Sequence, residues 1–236
     1  MADKYYAIIG GTSGMGFATA KSLVDRGDRV LVGGRSRERL DGALQRLGPL
    51  AQGRTVDAQD KDSIRLFFKG LAPLSGLFIP GASYQLGPFR DADPDLAESP
   101  FRGKFWPQYW SAHEALPSLA PNASIVLMSG TASVRPPGNS AAYVACNAAI
   151  EGLARGLAIE LAPIRVNCLS PGMMDSELWR TRPAEIREPA ATQFRQSTAL
   201  KRVGTVEDAA SAVLFMFDNE LLTGSCIYLD GGGALR

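Results

Sequence analysis

The apolar run Tyr6-Ala7-Ile8-Ile9 breaks into Gly10-Gly11-Thr12-Ser13-Gly14-Met15-Gly16, after which helix-forming spacing runs from Phe17 to Arg26 and stops at Gly27. Strand, glycine turn and helix in that order leave few folds open, because the strand must pair in a sheet and the helix must pack back across its face. Arg29-Val30-Leu31-Val32 reads as the next strand, and Ser36, with Glu38 in the first helical turn, opens a helix through Leu47. The alternation continues. Thr55-Val56 precedes Asp57, Ser63 to Lys69 has helical spacing, Gly76 to Ile79 is a strand, a helix is expected near Phe101 to Leu119, and Ser124 to Met128 is another strand. Ser140 to Leu161 is a long helix rich in small residues, followed by strand Arg165 to Leu169, helix Val206 to Phe217 and strand Ser225 to Leu229. Strands alternating with helices predict an α/β fold, a parallel sheet with helices on both faces. Only Met173 to Arg202 lacks a clear period, and a long aperiodic segment of this kind reads as a lid or substrate loop over about 173–202.

With 236 residues, 45% of them apolar, the chain has material for one domain spanning 1–236 and no need of a second. Lys and Arg number 25 against 24 Asp and Glu, so the net charge of +1 carries no footprint for nucleic acid. The three cysteines, Cys146, Cys168 and Cys226, are odd in number and far apart in apolar stretches, which gives neither a disulfide framework nor a metal-ligand spacing. They are expected to be core thiols in a reducing cytoplasm. Met1-Ala2-Asp3-Lys4-Tyr5-Tyr6 has no apolar run suited to a signal peptide, and no later stretch approaches the ~20 apolar residues of a membrane span.

A glycine turn between a first strand and a helix lets backbone approach a pyrophosphate, while the helix N-terminus offers free N–H groups. Gly10, Gly14 and Gly16 stand where that use requires them, with Thr12, Ser13 and Met15 between. The turn reads as dinucleotide-binding and the fold as a Rossmann fold. The second strand ends in Gly33-Gly34-Arg35-Ser36, without a carboxylate for a ribose 2′-hydroxyl but with a guanidinium and a hydroxyl for a 2′-phosphate. NADP(H) is therefore expected over NAD(H), the alternative being that Arg35 is a solvated surface arginine.

The spacing resembles the short-chain dehydrogenase/reductase family over nearly the whole chain. Ile9 to Gly16 matches T-G-x-x-x-G-x-G with Ile9 in place of Thr. Asp57 and Ala58 match the adenine contact, Tyr143 the tyrosine of Y-x-x-x-K, Pro171-Gly172-Met173 with Ser176 the motif P-G-x-x-x-T, and Asp230-Gly231-Gly232 the C-terminal glycines. The resemblance implies a doubly wound, seven-stranded sheet, a nicotinamide bordered by Pro171 to Ser176, and hydride exchange between carbinol and carbonyl.

The catalytic positions depart from the family pattern. In the family a Tyr is the acid/base, a Lys four residues on supports it, a Ser orients the carbonyl and an Asn supports a water relay. Here Asn147 stands at the Lys position, Gly130 at the Ser position with Ser129 beside it, and Ile79-Pro80-Gly81-Ala82 replaces N-N-A-G. Counting back thirteen residues from Pro117, which resembles the family's L-P, places Lys104 at the Asn position. Lys and Asn are exchanged. A phenol, ordinarily titrating near ~10, is a poor base at neutral pH, and an amide brings no charge to help it. A swapped tetrad of Tyr143, Lys104, Asn147 and Ser129 is the expectation, and the alternative is that Lys104 is an exposed helix lysine in a site that has lost hydride chemistry.

Three functions fit these residues: NADPH-dependent reduction of a ketone or enone, a redox-neutral isomerase, dehydratase or cyclase with NADP(H) structural, or a nucleotide-binding protein without catalysis. The cluster Phe105, Trp106, Tyr109 and Trp110 reads as core or interface. Ala141, Ala142, Ala145, Ala148, Ala149, Gly152 and Gly156 would permit close helix approach, and the resemblance implies a homodimer or homotetramer. His113, the only histidine, has no companion for a metal or a triad and reads as structural. Met173, Met174, Leu178, Trp179 and Phe194, with Arg180, Arg182, Arg187 and Arg195 among them, suggest an apolar small-molecule pocket with an anionic contact.

Overall fold

The computed structural model describes residues 4–181 and 183–235; Arg182 and the Leu178 side chain, both named above with the lid segment, lie outside the described residues. The strands of the main sheet are β1 (Tyr5–Ile9), β2 (Arg29–Gly34), β3 (Ala51–Thr55), β4 (Leu74–Ile79), β5 (Leu119–Met128), β6 (Arg165–Pro171) and, at the far edge, Cys226–Leu229. Two short strands, β7 (Met174–Asp175) and β8 (Gly204–Thr205), pair with each other, which makes the edge strand β9. The helices are α1 (Gly14–Asp25), α2 (Arg37–Leu47), α3 (Lys61–Phe68), α4 (Pro94–Pro100), α5 (Trp106–Ala115), α6 (Ala141–Glu160), α7 (Glu177–Arg180), α8 (Ala184–Ser197) and α9 (Val206–Asp218).

The main sheet is parallel throughout in the order β3-β2-β1-β4-β5-β6-β9. Both of its faces are covered, so its strands are apolar on alternate and on adjacent residues alike. Tyr5, Ala7 and Ile9 of β1 face a core shared with Ile64 and Phe67 of α3, Ala112 of α5 and Ile150 of α6. Tyr6 and Ile8 face the opposite core, with Leu23 of α1, Leu40 of α2 and Val213 and Met216 of α9. The strand order reverses between β1 and β4, and the crevice at the carboxyl ends of those two strands is where this architecture holds a ligand. Gly10 and Gly81 meet there: a Cβ on Gly10, whose φ is +94°, would lie 2.7 Å from the Gly81 Cα.

Two segments differ from the sequence expectation. Residues 173–202, expected as a loop without periodicity, contain α7 and α8; Pro183 precedes α8 and Pro189 lies within it, which hides its helical spacing. The helix expected near Phe101 to Leu119 is instead α4, a π-helical turn over Phe101–Phe105, α5 and a 3-10 turn over Leu116–Ser118. Pro107 explains the break. It has no N–H to return to the Gly103 carbonyl, which accepts instead from the Ser83 N–H at 2.9 Å. The exchange docks the chain after β4 onto the start of α5.

Candidate active site

The crevice between β1 and β4 opens into a cleft of about 630 Å³. Its floor is the glycine turn, with Gly10, Thr12, Ser13, Gly14, Met15 and Gly16 all lining it, and α1 begins at Gly14 so that its first N–H groups face the opening. Gly16 is packed so closely that a Cβ would lie 2.2 Å from the Gly10 carbonyl oxygen. Arg35 and Ser36 line the end beyond β2, Asp57 and Ala58 the end beyond β3, and Gly81 and Ala82 the wall beyond β4. Arg39, on the first turn of α2, adds a second guanidinium to that rim. Ser36 also caps α2, its hydroxyl accepting from the Arg39 N–H at 3.3 Å. Ser176 completes the rim, its Cβ 3.8 Å from where a Cβ on Gly14 would stand. The residue types fit a dinucleotide phosphate: backbone donors, a helix N-terminus and two guanidinium groups without a carboxylate at Gly34.

Pro171, Gly172 and Met173 do not line this cleft. Gly172 packs against Phe194 and Asp230, and the Met173 carbonyl accepts from the Gly204 N–H at 3.0 Å, joining β7 to β8. Two of the lid arginines, Arg180 and Arg187, are already held by carboxylates. Arg180 forks onto Asp175 at 2.9 and 2.8 Å, a bond that holds the Asp175 carboxyl below its ordinary range, and Arg187 pairs with Glu188 at 3.2 Å.

Lys104 is 2% exposed, which removes the reading of a solvated helix lysine. Its Nζ donates to Asn147 Oδ1 at 2.5 Å and to the Ser129 carbonyl oxygen at 2.7 Å, and lies 5.1 Å from the centre of the Tyr143 ring. Among the described residues no carboxylate pairs with it. The π-helical turn carries Lys104 to the end of β5, and Tyr143 and Asn147, one helical turn apart on α6, face it from the other side. The Asn147 amide donates to the Tyr143 carbonyl at 2.9 Å, leaving its oxygen for the ammonium. Tyr84 stacks on Tyr143 with ring centres 4.9 Å apart. Tyr143 also borders a small cavity of about 30 Å³ with Leu86, Leu96 and Pro100, and Ser140, whose buried hydroxyl has no hydrogen-bond partner among the described residues, borders it too.

Three of the four expected catalytic side chains are thus brought together, and the fourth is turned elsewhere. The Ser129 hydroxyl is 3.0 Å from both the Asn147 carbonyl oxygen and Glu151 Oε1, and is buried between them. Its proton is held by those oxygens, so Ser129 joins the site through its carbonyl alone. Gly130 is no substitute, because it carries no hydroxyl, although a Cβ there would stand 3.2 Å from the Tyr143 hydroxyl. Sequence reasoning missed Gln108, whose buried amide clamps the Met128 backbone with bonds of 2.7 and 3.0 Å. Its position one turn after Lys104 was the available signal. It also missed Glu151, Tyr84 and Arg39. The aromatic residues after Lys104 form an edge-to-face and stacked cluster, with Lys61 Nζ 3.4 Å from the Trp110 ring centre. His113 meets the Trp110 ring edge-on and bonds to Glu114. The Cys146 thiol, pushed up to about 11 by burial, and Cys168, which faces Cys226 across β6 and β9, are core thiols. Among the described residues no cluster suits a metal ion and no helix is long and apolar enough to cross a membrane.

Sheet order, glycine turn and the Tyr143 cluster together define a Rossmann-type protein with a nucleotide cleft beside a polar site. The model of the SDR-like Rossmann domain matches residues 1–236, and the chain belongs to the short-chain dehydrogenase/reductase family, with oxidoreductases among its relatives. It is 31% identical to tropinone reductase-like 3 of Erythroxylum coca, over 99% of this chain and 94% of that protein. Among solved structures it is similar to a short-chain oxidoreductase of Pseudomonas aeruginosa PAO1 with NADPH bound and an atypical catalytic centre. That match is 27% identical at TM-score 0.89, covering 97% of this chain and 96% of the other. The MalC reductase/Diels–Alderase of Malbranchea aurantiaca is similar at TM-score 0.92 and 25% identity, covering 99% of this chain and 97% of the other.

Proposed function

We propose that the chain is an NADPH-dependent reductase of a ketone or enone on a small organic substrate, with Tyr143, Lys104 and Asn147 as its polar machinery. The observation that carries this reading is the buried Lys104 ammonium, bonded to Asn147 at 2.5 Å and set beside the Tyr143 ring. NADPH binds along the glycine turn, with its 2′-phosphate between Arg35, Ser36 and Arg39 and its adenine near Asp57 and Ala58. When bound it supplies the hydride. Tyr143 gives a proton to the substrate oxygen, Lys104 brings the positive charge that the phenol needs as it releases that proton, and Asn147 holds the ammonium in place. Residues 173–202, with Ser176 against the glycine turn, cover the substrate, and Pro171 to Met173 set the strand end that carries them. The exposed small residues of α6, Ala141, Ala145, Ala148, Gly152 and Gly156, join copies into a homodimer or homotetramer in the cytoplasm.

A second reading is redox-neutral chemistry, an isomerase, dehydratase or cyclase with NADP(H) as a structural group. What favours it is the missing carbonyl-orienting hydroxyl: Gly130 has no side chain and Ser129 is held by Glu151. MalC, a reductase and also a Diels–Alderase, supports keeping it. Nicotinamide absorbance separates the two. Loss of NADPH absorbance with ketones or enones, falling by about 10²-fold or more in Tyr143→Phe, is expected of the reductase. Product formation at constant absorbance would overturn it in favour of the second reading.

The glycine turn gives a separate prediction. Gly16→Ala, whose Cβ meets the Gly10 carbonyl at 2.2 Å, must push the turn out of shape. NADPH affinity, followed by the fluorescence of the bound cofactor, is expected to fall by about a hundredfold, or about 2.7 kcal/mol. Unchanged affinity would mean that the phosphates bind elsewhere.

A further inference from the structure

We propose that Glu151 is a positioning residue for the catalytic cluster, acting through the hydroxyl of Ser129 to fix the two oxygens that hold Lys104. The inference rests on the reading of Tyr143, Lys104 and Asn147 as the polar machinery. Glu151 is 7% exposed on α6, one turn beyond Asn147, and among the described residues it has no cationic partner. A carboxylate kept out of water without a counter-charge needs hydrogen bonds to be tolerated there. It has them from four separate elements. Ser129, at the end of β5, lies 3.0 Å from Oε1; Ser133, in the turn that follows, donates to the same oxygen at 2.5 Å; Ser170 of β6 donates to it at 3.5 Å; and Tyr228 of β9 donates to Oε2 at 2.9 Å. Burial and the bond to Glu151 push the Tyr228 phenol well above its ordinary range, so it keeps the proton it donates.

The consequence lies one bond further in. Lys104 accepts its position from two oxygens, the Ser129 carbonyl and Asn147 Oδ1. These belong to β5 and α6, and the Ser129 hydroxyl, between the Asn147 carbonyl and Glu151, ties the two elements together. Removing the carboxylate takes this acceptor from Ser133, Ser170 and Tyr228 and leaves the Ser129 hydroxyl with the Asn147 carbonyl alone, which loosens the end of β5 against α6. A displacement of about 1 Å at a reacting group costs about 10²-fold in rate. Hydrogen-bond acceptance rather than charge is what the geometry uses, since among the described residues no cation pairs with the carboxylate.

The test compares Glu151→Ala, Glu151→Gln and Tyr228→Phe with the wild type in the NADPH-bound enzyme. Glu151→Ala is expected to lower kcat by about tenfold to a hundredfold, with KM for NADPH unchanged. Glu151→Gln, which keeps an acceptor towards Ser129, is expected to recover most of that loss, and Tyr228→Phe to show a smaller loss. The second readout needs no turnover. With the six tyrosines replaced by 3-fluorotyrosine, the Tyr143 fluorine resonance, assigned by its absence in Tyr143→Phe, is expected to move in Glu151→Ala and to return in Glu151→Gln. A moved resonance in a protein that reduces no carbonyl compound would uphold the positioning role and sink the reductase reading. A Tyr143 resonance and kcat both unchanged in Glu151→Ala, with only the melting temperature lowered, would overturn the positioning role.

Discussion

Lys104→Met is expected to lower kcat by about 10²- to 10⁴-fold, the range that a positioned acid–base group contributes, while NADPH affinity stays near that of the wild type. Methionine nearly conserves the volume of a side chain that is 2% exposed, so the packing against Tyr143 and Tyr84 survives. What disappears is the ammonium. Asn147 Oδ1 and the Ser129 carbonyl then lose their donor, at a cost of about 1–3 kcal/mol for each buried acceptor left unpaired, and the melting temperature should fall. That fall cannot by itself explain lost turnover, because the cleft at the glycine turn does not include Lys104 and cofactor affinity reports whether the fold is intact. The exchange variant Lys104→Asn with Asn147→Lys sharpens the point. It returns the ammonium to the other side of the same contact, so its activity should exceed that of either single variant, a non-additivity expected only of residues that act as a pair. Wild-type kcat in Lys104→Met, with only stability lost, would reduce Lys104 to a buried structural lysine and move the weight to redox-neutral chemistry.

The exchange itself was legible in the sequence because it needs only counting along two helices from recognisable anchors, Tyr143 and Pro117. The sheet and the cleft were legible for a related reason. Each strand is a short apolar run with its own turn, and the glycines of residues 10–16 stand at the one junction where backbone must approach a ligand. What failed was the statement about where the Ser129 hydroxyl points. Ser129 is next to the position that the family pattern uses, yet it answers to Glu151, twenty-two residues away, and to Tyr228 beyond that. Those partners meet only when β5, α6 and β9 pack together, and no local period records it. The helices of the 173–202 segment were missed for a different reason: Pro183 and Pro189 interrupt the apolar spacing of α8 without preventing the helix, since one precedes its first turn and the other sits near its exposed middle.

Gly103→Ala is expected to be the most damaging single methyl group in the protein. The added Cβ would stand 1.7 Å from the Ser83 carbonyl oxygen, a backbone atom that cannot rotate away as a side chain would. Relief requires the 83–84 segment to lift from α5. That breaks the bond from the Ser83 N–H to the Gly103 carbonyl, whose i+4 helical donor Pro107 lacks, and it carries Tyr84 off the face of Tyr143. The neighbouring residue in the π-helical turn is Lys104, so the distortion reaches the ammonium directly. Overpacking costs about 1–3 kcal/mol and occasionally more, and a backbone clash belongs at the upper end; at about 3 kcal/mol the melting temperature falls by about 6–12 °C. kcat should fall by about 10²-fold if Lys104 moves by about 1 Å. Gly42→Ala is the control, because it adds the same methyl group to the middle of α2 with nothing within 4 Å of it. There the helix gains about 0.5–1 kcal/mol from lost backbone freedom, so the melting temperature should rise. Opposite signs for the two variants, with lost turnover only in Gly103→Ala, tie the glycine to the placement of Lys104; a Gly103→Ala enzyme that melts and turns over like the wild type would show that the docking of Ser83 on the π-helical turn does not hold the site.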